Sequence, residues 1–318
     1  MALLEPVSQN ILMAAEAVRR GDLVGLPTET VYGLGADATN AAAVIKIFTA
    51  KGRPRFNPLI VHVASLAAAR QIAQFNTLAE RLAQAWWPGP LTLVLPLKAK
   101  SVIADVTVAG LSTIAIRMPS HPVARQLLEA TGCPIAAPSA NISGHISATT
   151  AAHVVSDFGD KVPIVLDAGQ ANHGVESTII NASGGEARIL RHGSITREDI
   201  EALVGQAHNG ANKAAVRPTS PGQLLSHYAP RCAVRLEVLE PKPDEALLAF
   251  GATVPQHNGL SINLSPTGNL TEAAANLFAA LRRLDAAAPP RIAVMPIPQY
   301  GIGIAINDRL NRAAAPRD

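Results

Sequence analysis

The stretch from Gly25 to Val63, GLPTETVYGLGADATNAAAVIKIFTAKGRPRFNPLIVHV, leaves few folds open to the chain that contains it. Leu23, Val24, Gly25 and Leu26 form an apolar run suited to a strand covered on both faces, and Pro27 stops it. Thr28, Glu29 and Thr30 then put two hydroxyls and a carboxylate at the strand's end, where open α/β sheets bind their ligands. Gly33 and Gly35 permit either a left-handed backbone or close approach of another group. Asn40 is a suitable N-cap for a helix from Ala41 to about Ala50. Lys51 and Arg53 after it read either as a cationic helix cap or as an anion site. Arg55, with Pro54 and Pro58 stiffening the loop, favours a bound phosphate or carboxylate.

Composition agrees with layers of helix and sheet. Hydrophobic residues make up 48% of the 318 and aromatics only 3%, so Ala, Val, Leu and Ile must build the core, which favours α/β packing over an aromatic-rich sandwich. The net charge of +3 is unevenly spread: residues 51–100 hold seven Lys or Arg and a single acid, Glu80, a local basic surface suited to nucleotide or RNA. Cys133 and Cys232 have no pair spacing, which argues against a disulfide framework and against zinc. The opening MALLEPVSQN lacks a basic segment followed by an apolar one, and no uncharged run approaches the ~20 residues that cross a bilayer. The expectation is a soluble cytoplasmic protein without membrane contact.

In order, the pattern predicts a helix over 8–20, with Ser8 as cap and Ile11, Leu12, Ala15 and Val18 on one face. After the strand at 58–63 come helices over 65–74 and 78–87, strands at 91–95 and 113–118, and an aperiodic loop at 101–111. A helix from His121 leads to a short strand at 134–137 and a second polar turn, Pro138-Ser139-Ala140-Asn141-Ile142-Ser143-Gly144. A helix to about Phe158 precedes strands at 162–166, 177–181 and 187–190, and Thr196 with Asp199 makes a capping-box start to a helix ending near Val204. Residues 1–205 thus read as a first α/β domain, 206–230 as a linker or lid without periodicity, and 231–318 as a smaller α/β domain of alternating strands and helices.

No Gly-x-x-x-x-Gly-Lys-Ser/Thr loop and no Gly-x-Gly-x-x-Gly turn is present, so a triphosphate site would have to be assembled from separate loops. Lys51, Arg53 and Arg191 supply charge for it, and Ser139, Asn141 and Ser143 supply short polar contacts. Arg117 lies inside the apolar strand Ile114-Ala115-Ile116-Arg117-Met118, where an unpaired guanidinium is costly; it should meet a carboxylate of the protein or of a ligand. His62, within Ile60-Val61-His62-Val63, is by itself most simply a core histidine. With no Ser-His-Asp set, Cys-His pair or close carboxylate pair, an enzyme of this sequence would work by positioning and charge neutralisation, as phosphoryl and nucleotidyl transfer permit.

PTETVYGLG, KGRPRFNPLIVHV and PSANISG, in this order and spacing, resemble the YrdC-like domain of the threonylcarbamoyl-AMP synthase family. Ser220-Pro221-Gly222, His227-Tyr228-Ala229-Pro230 and the terminal GIGIAINDRLNRAA resemble the longer, two-domain form. The resemblance implies a YrdC-like twisted open mixed sheet with helices, followed by a smaller Rossmann-like α/β domain. It implies synthesis of threonylcarbamoyl-AMP and pyrophosphate from L-threonine, bicarbonate and ATP, the first step towards N6-threonylcarbamoyladenosine in tRNA. By resemblance Thr30, His62, Arg117 and Ser177 hold threonine, with Arg117 on its carboxylate and the backbone near Ala137 assisting. Lys51, Arg53, Asn57, Thr113, Ser139, Asn141, Ser147 and Arg191 surround ATP, with Lys51 and Arg53 stabilising charge on the reacting phosphates and Tyr228 reaching over the nucleotide. The implied cofactor is Mg2+ held mainly by phosphate oxygens, with no metal ligands from the protein. Implied partners are downstream threonylcarbamoyl-transferase proteins and a weak tRNA or RNA contact. The chain departs from the family pattern at Gln223-Leu224-Leu225-Ser226, where a basic and aromatic stretch is usual.

Overall fold

The computed structural model describes residues 1–210 and 226–316. The Ser-Pro-Gly step at 220–222 and most of the atypical 223–226 segment lie outside the described residues. Among the described residues the first lobe is one mixed sheet of eleven strands. Across it the strands run Ala2–Leu4, Ile164–Leu166, Val24–Leu26, Gly33–Asp37, Ile135–Ala136, Ile60–His62, Thr113–Arg117, Leu91–Pro96, Thr178–Asn181, Ala187–Arg191 and Ala207–Asn209.

The sheet's two-residue period decides where the core ends and the site begins. On one face Val61, Leu93, Ile116 and Ile180 join a core closed by helices such as Ala41–Lys51 and Thr77–Trp86. On the other, Ile60, Val94, Ala115 and Ile179 form a small apolar patch, and His62, Thr92 and Arg117 alternate with them along the same strands. Towards the far edge that second face is covered by Ser8–Arg19 and Pro122–Thr131, which pack over Val24, Leu26 and Ile164.

Helix starts follow the side-chain chemistry. Asn40 accepts from the N–H groups of Ala42 and Ala43, Ser65 from Ala68, Thr150 from His153, and Thr196 with Asp199 closes a capping box. The expectation for Ser8 fails: Val7 precedes the first helical residue, no side chain caps that end, and Leu12 is 54% exposed while Ala14 and Ala17 are buried. Residues 33–37, whose two glycines left a left-handed backbone or close approach open, are a strand. Gly35 belongs there through close approach, since a Cβ would stand 2.7 Å from Leu26 Cδ2. Residues 105–108 of the expected loop form one helical turn. Ala2–Leu4 and Ala207–Asn209 are strands paired in parallel with 164–166 and 187–189, so the first residues of the expected linker belong to the sheet.

The second lobe is a four-stranded sheet in the order Ala233–Arg235, Arg291–Val294, Ala246–Ala249, Ser261–Asn263, every pairing parallel. Its helices, Leu270–Ala286 and Gly303–Ala314, close a core that also takes in Val31, Ile146 and Val175 of the first lobe. The lobes therefore share buried surface. Gly174 marks a close contact between them, where a Cβ would lie 2.3 Å from the carbonyl oxygen of Ala274. Cys133 and Cys232 are not joined in a disulfide.

Candidate active site

Register, which the sequence does not display, brings the polar side chains together. His62 pairs with Arg117 across parallel strands, and Arg117 pairs with Thr92 across antiparallel ones, so the three share one row on the uncovered face. The hydroxyls of Thr92 and Ser177 lie 2.7 Å apart at the end of that row. The two polar turns are stitched beside it: Leu34 N–H donates to Pro138 O at 2.9 Å and Ala140 N–H to Tyr32 O at 2.7 Å. Lys51 fixes the second turn, its Nζ donating to the carbonyls of Ser139 and Asn141.

The result is one cavity lined by Thr30, Arg53, His62, Arg117, Ala137, Ser139, Ser177, Arg191 and Tyr228, with Thr28, Glu176 and His227. Its cations are aimed by the backbone. Arg53 donates to the carbonyls of Asn57 and Pro58 at 3.1 and 2.9 Å, and Arg191 donates to Ser177 O at 3.0 Å and Oγ at 3.1 Å. Burial, reinforced by Arg53, pushes the Lys51 ammonium well below its ordinary range. For Arg53 burial and for Arg191 burial likewise act against the charged form, so these groups gain from any anion placed among them.

Arg117 meets its carboxylate inside the protein. Its Nη2 lies 2.7 Å from Glu29 Oε1 and its Nη1 donates to Thr30 Oγ1 at 2.8 Å. The Glu29 contact is close but poorly aligned for hydrogen bonding, so Nη2 and both carboxylate oxygens keep unused bonding capacity. Burial alone would raise the Glu29 carboxyl, but Arg117 overrides it and holds it at about 2. Burial, then the Arg117 charge, drive His62 down to about 3, so its ring is neutral at pH 7, and its Nδ1 has no hydrogen-bond partner among the described residues.

Over the cavity lie His227 and Tyr228. The Tyr228 ring stacks on Phe278 of the second lobe at 5.4 Å between centroids and against His227 at 4.1 Å. Its backbone is left-handed, φ 61°, a strained setting for a non-glycine residue. With both rings in place the free space is about 40 Å3, room for water but not for a nucleotide.

Five residues expected around ATP do not line this cavity. Lys51 supports the second turn from behind. Asn141 donates to the carbonyls of Ile142 and His145, and the Ser147 hydroxyl donates to Glu176 at 2.5 Å. Asn57 sits buried beside Arg53 with neither end of its amide partnered among the described residues. Thr113 begins the strand that Arg117 ends, about 13 Å away at ~3.3 Å per residue. The N–H of Ala137 is taken by Ile60 O at 3.0 Å. Sequence reasoning missed Glu176, Glu29 as partner of Arg117, and Arg309, which reaches Glu176 from the second lobe at 3.1 Å. The signals were adjacency to Ser177 and Thr30 and, for Arg309, its place in the terminal motif. The basic stretch 51–100 does not form one face. Lys51 and Arg53 are buried in the site, Arg70 pairs with Glu80, and Arg81 donates to Leu203 O.

The Sua5–YciO–YrdC family model, whose description reads "Telomere recombination", matches residues 16–193. The model for the threonylcarbamoyl-AMP synthase C-terminal domain matches 195–315. A threonylcarbamoyl-AMP synthase of Bacillus subtilis is 39% identical, with 96% of this chain and 93% of the relative covered. A shorter one from Vibrio cholerae is 34% identical over 61% of this chain and 100% of its own length. The crystal structure of Pyrococcus abyssi Sua5 complexed with L-threonine superposes with a TM-score of 0.88 at 38% identity, covering 96% of this chain and 94% of that one. Both lobes and their order thus have counterparts along one continuous match, and the chain belongs to the threonylcarbamoyl-AMP synthase family in its two-domain form.

Proposed function

We propose that this chain joins L-threonine, bicarbonate and ATP into threonylcarbamoyl-AMP and pyrophosphate, the first step towards N6-threonylcarbamoyladenosine in tRNA. One observation carries the reading: a neutral histidine, an arginine and paired hydroxyls share one row of the sheet, and Arg53 and Arg191 border the same cavity. The relative's complex with L-threonine supports an amino acid on that row. Arg117 Nη2 has bonding capacity left for the threonine carboxylate, and Thr30, Ser177 and neutral His62 can take its hydroxyl and amine.

The threonine amine adds to the carbon of bicarbonate, water leaves, and the new carbamate oxygen attacks the α-phosphorus as pyrophosphate departs. Arg53 and Arg191 offset charge on the phosphates; removing one such preorganised donor typically costs about 10²–10³ in rate. Lys51 acts by holding Ser139 and Asn141 in place. Asn57, with its unused amide, suits the nucleotide end of the site. Tyr228 and His227 must swing out to admit ATP and return to keep water from the adenylate. In this reading the lid shortens from 206–230 to 210–230, because 207–209 pair with the sheet, and 231–318 is the domain that anchors it.

Magnesium fits this site as a companion of the ATP phosphates. Among the described residues no three His, Cys, Asp or Glu side chains gather, and Glu29 and Glu176 are engaged by arginines. When bound, the ion would neutralise charge on the phosphates. Among the described residues no helix is long and apolar enough to cross a membrane. A cytoplasmic setting, with a threonylcarbamoyl-transferase taking up the unstable product, completes the proposal.

The test is incorporation of labelled bicarbonate into an AMP adduct. Adduct should form only with threonine, ATP and magnesium together, and serine should be about 10- to 200-fold poorer because it lacks one methyl group. Formation of ADP, or of adduct without threonine, overturns the reading.

A further inference from the structure

Arg309 is fully buried, the largest such side chain among the described residues, yet it belongs to the last helix of the second lobe and points into the first. Its Nε donates to Glu176 Oε2 at 3.1 Å, and its Nη1 donates to His192 O at 2.5 Å and lies 3.3 Å from Asp308 Oδ2. Its guanidinium carbon stands 5.6 Å from the centre of the Tyr228 ring, and Nη2 has no partner among the described residues. Glu176 lines the cavity and takes the Ser147 hydroxyl on its other oxygen. A buried carboxylate here is an obstacle: it faces the space in which a triphosphate must sit, beside Arg191 and Lys51.

The charges at the cavity resolve into pairs and a surplus. Glu29 is met by Arg117, Asp308 by Arg312 at 3.0 Å, and Glu176 by Arg309. Arg53 and Arg191, which line the cavity, remain to face an anion, and without Arg309 the neighbouring Arg191 would be spent on Glu176.

We propose that Arg309 is a positioning residue through which the second lobe supplies the counter-charge for Glu176, freeing the first lobe's cations for the nucleotide's phosphates. A mere bolt between lobes would be indifferent to the charge on Glu176. This pairing is not. The inference rests on the proposed function only in requiring that ATP bind in this cavity.

Arg309→Met, Glu176→Gln and the double variant decide it, with KM values for ATP and threonine, calorimetric titration with ATP and magnesium, and thermal melts of each protein. Arg309→Met should raise the ATP KM about tenfold or more, as for one uncompensated buried charge, and the threonine KM by less than about threefold. Adding Glu176→Gln should recover most of that loss, because the obstructing charge is gone while the Ser147 contact can remain. If Arg309→Met alone does not fold, the double variant carries the decision. Folding with an ATP KM within about threefold of the parent supports the pairing, and failure like that of the single variant overturns it. Equal rises in both KM values, or no rescue, also overturn it. Absence of ATP binding by the unaltered protein would instead sink the proposed function, so the two failures are distinct.

Discussion

In the small second lobe most buried polar groups are matched. Arg235 reaches Glu245 at 2.5 Å, and Asn307 donates to the carbonyls of Ile297 and Gly303 at 3.0 and 2.9 Å. In the first lobe Glu29, Asn57, His62, Arg117, Asn141 and Ser194 all keep buried polar atoms without a hydrogen-bond partner among the described residues. Of the two second-lobe atoms in the same condition, Arg309 Nη2 belongs to the side chain that points into the first lobe. An unmet buried polar group costs about 1–3 kcal/mol, so a region that collects several is carrying a cost its fold does not require. The lesson is that the first lobe is tuned for a ligand's polar atoms and the second for its own stability.

That contrast can be broken most forcefully at Arg117. Arg117→Ala leaves Glu29 buried without its cation and should cost about 3–5 kcal/mol of stability. Among molecules that remain folded, the threonine KM should rise more than the ATP KM; equal rises would remove Arg117 from the amino-acid end of the site.

Acid titration sharpens the contrast with a smaller effect. His62 and His227 have folded pKa values of about 3, below the usual 6.5, so the unfolded chain binds more protons between those limits. Stability from these two groups is therefore full above about pH 6.5 and is lost as the pH falls, by about 1.4 kcal/mol per unit for each. The Glu29 contribution is lost at lower pH, progressively between the ordinary 4.5 and its value of about 2. Melting temperature should fall between pH 7 and pH 5, and His62→Gln should flatten the slope in part, because burial also lowers His121, His153, His173 and His192. A pH-independent melting curve would mean these rings are not buried as described.

The smallest effect belongs to the second lobe. Arg235→Ala, at a partly exposed pair, should lower stability less than either change above and leave both KM values unchanged. A change in either KM would show that the lobes are less divided in their work than their hydrogen bonding suggests.

Much was legible beforehand, for local reasons. Asn40, Ser65, Thr150 and Thr196 announce their helices because a cap acts within three residues. The helix Leu270–Ala286 is legible because its apolar period is long and uninterrupted. The strand 33–37 was hidden because Gly33, Gly35 and Asp37 look like turn residues and only packing against Leu26 and Ile135 shows why glycines are needed. Strands 2–4 and 207–209 were hidden because each is three residues long and stands at an edge.

By itself the sequence determined the residue types of the site and the elements that carry them: hydroxyls and carboxylate at 28–30, cations at 51 and 53, Arg117 in an apolar strand, and the turn at 138–144. Tertiary structure alone decided their use. Pairing register put His62 and Arg117 in one row, Glu29 became a partner of Arg117, and Lys51 turned to the backbone of the second turn. Arg309 was set against Glu176 from 133 residues away. The physical reason is range: caps, periods and turns act over a few neighbours, whereas a buried charge is settled by whichever opposite charge the finished fold brings within reach.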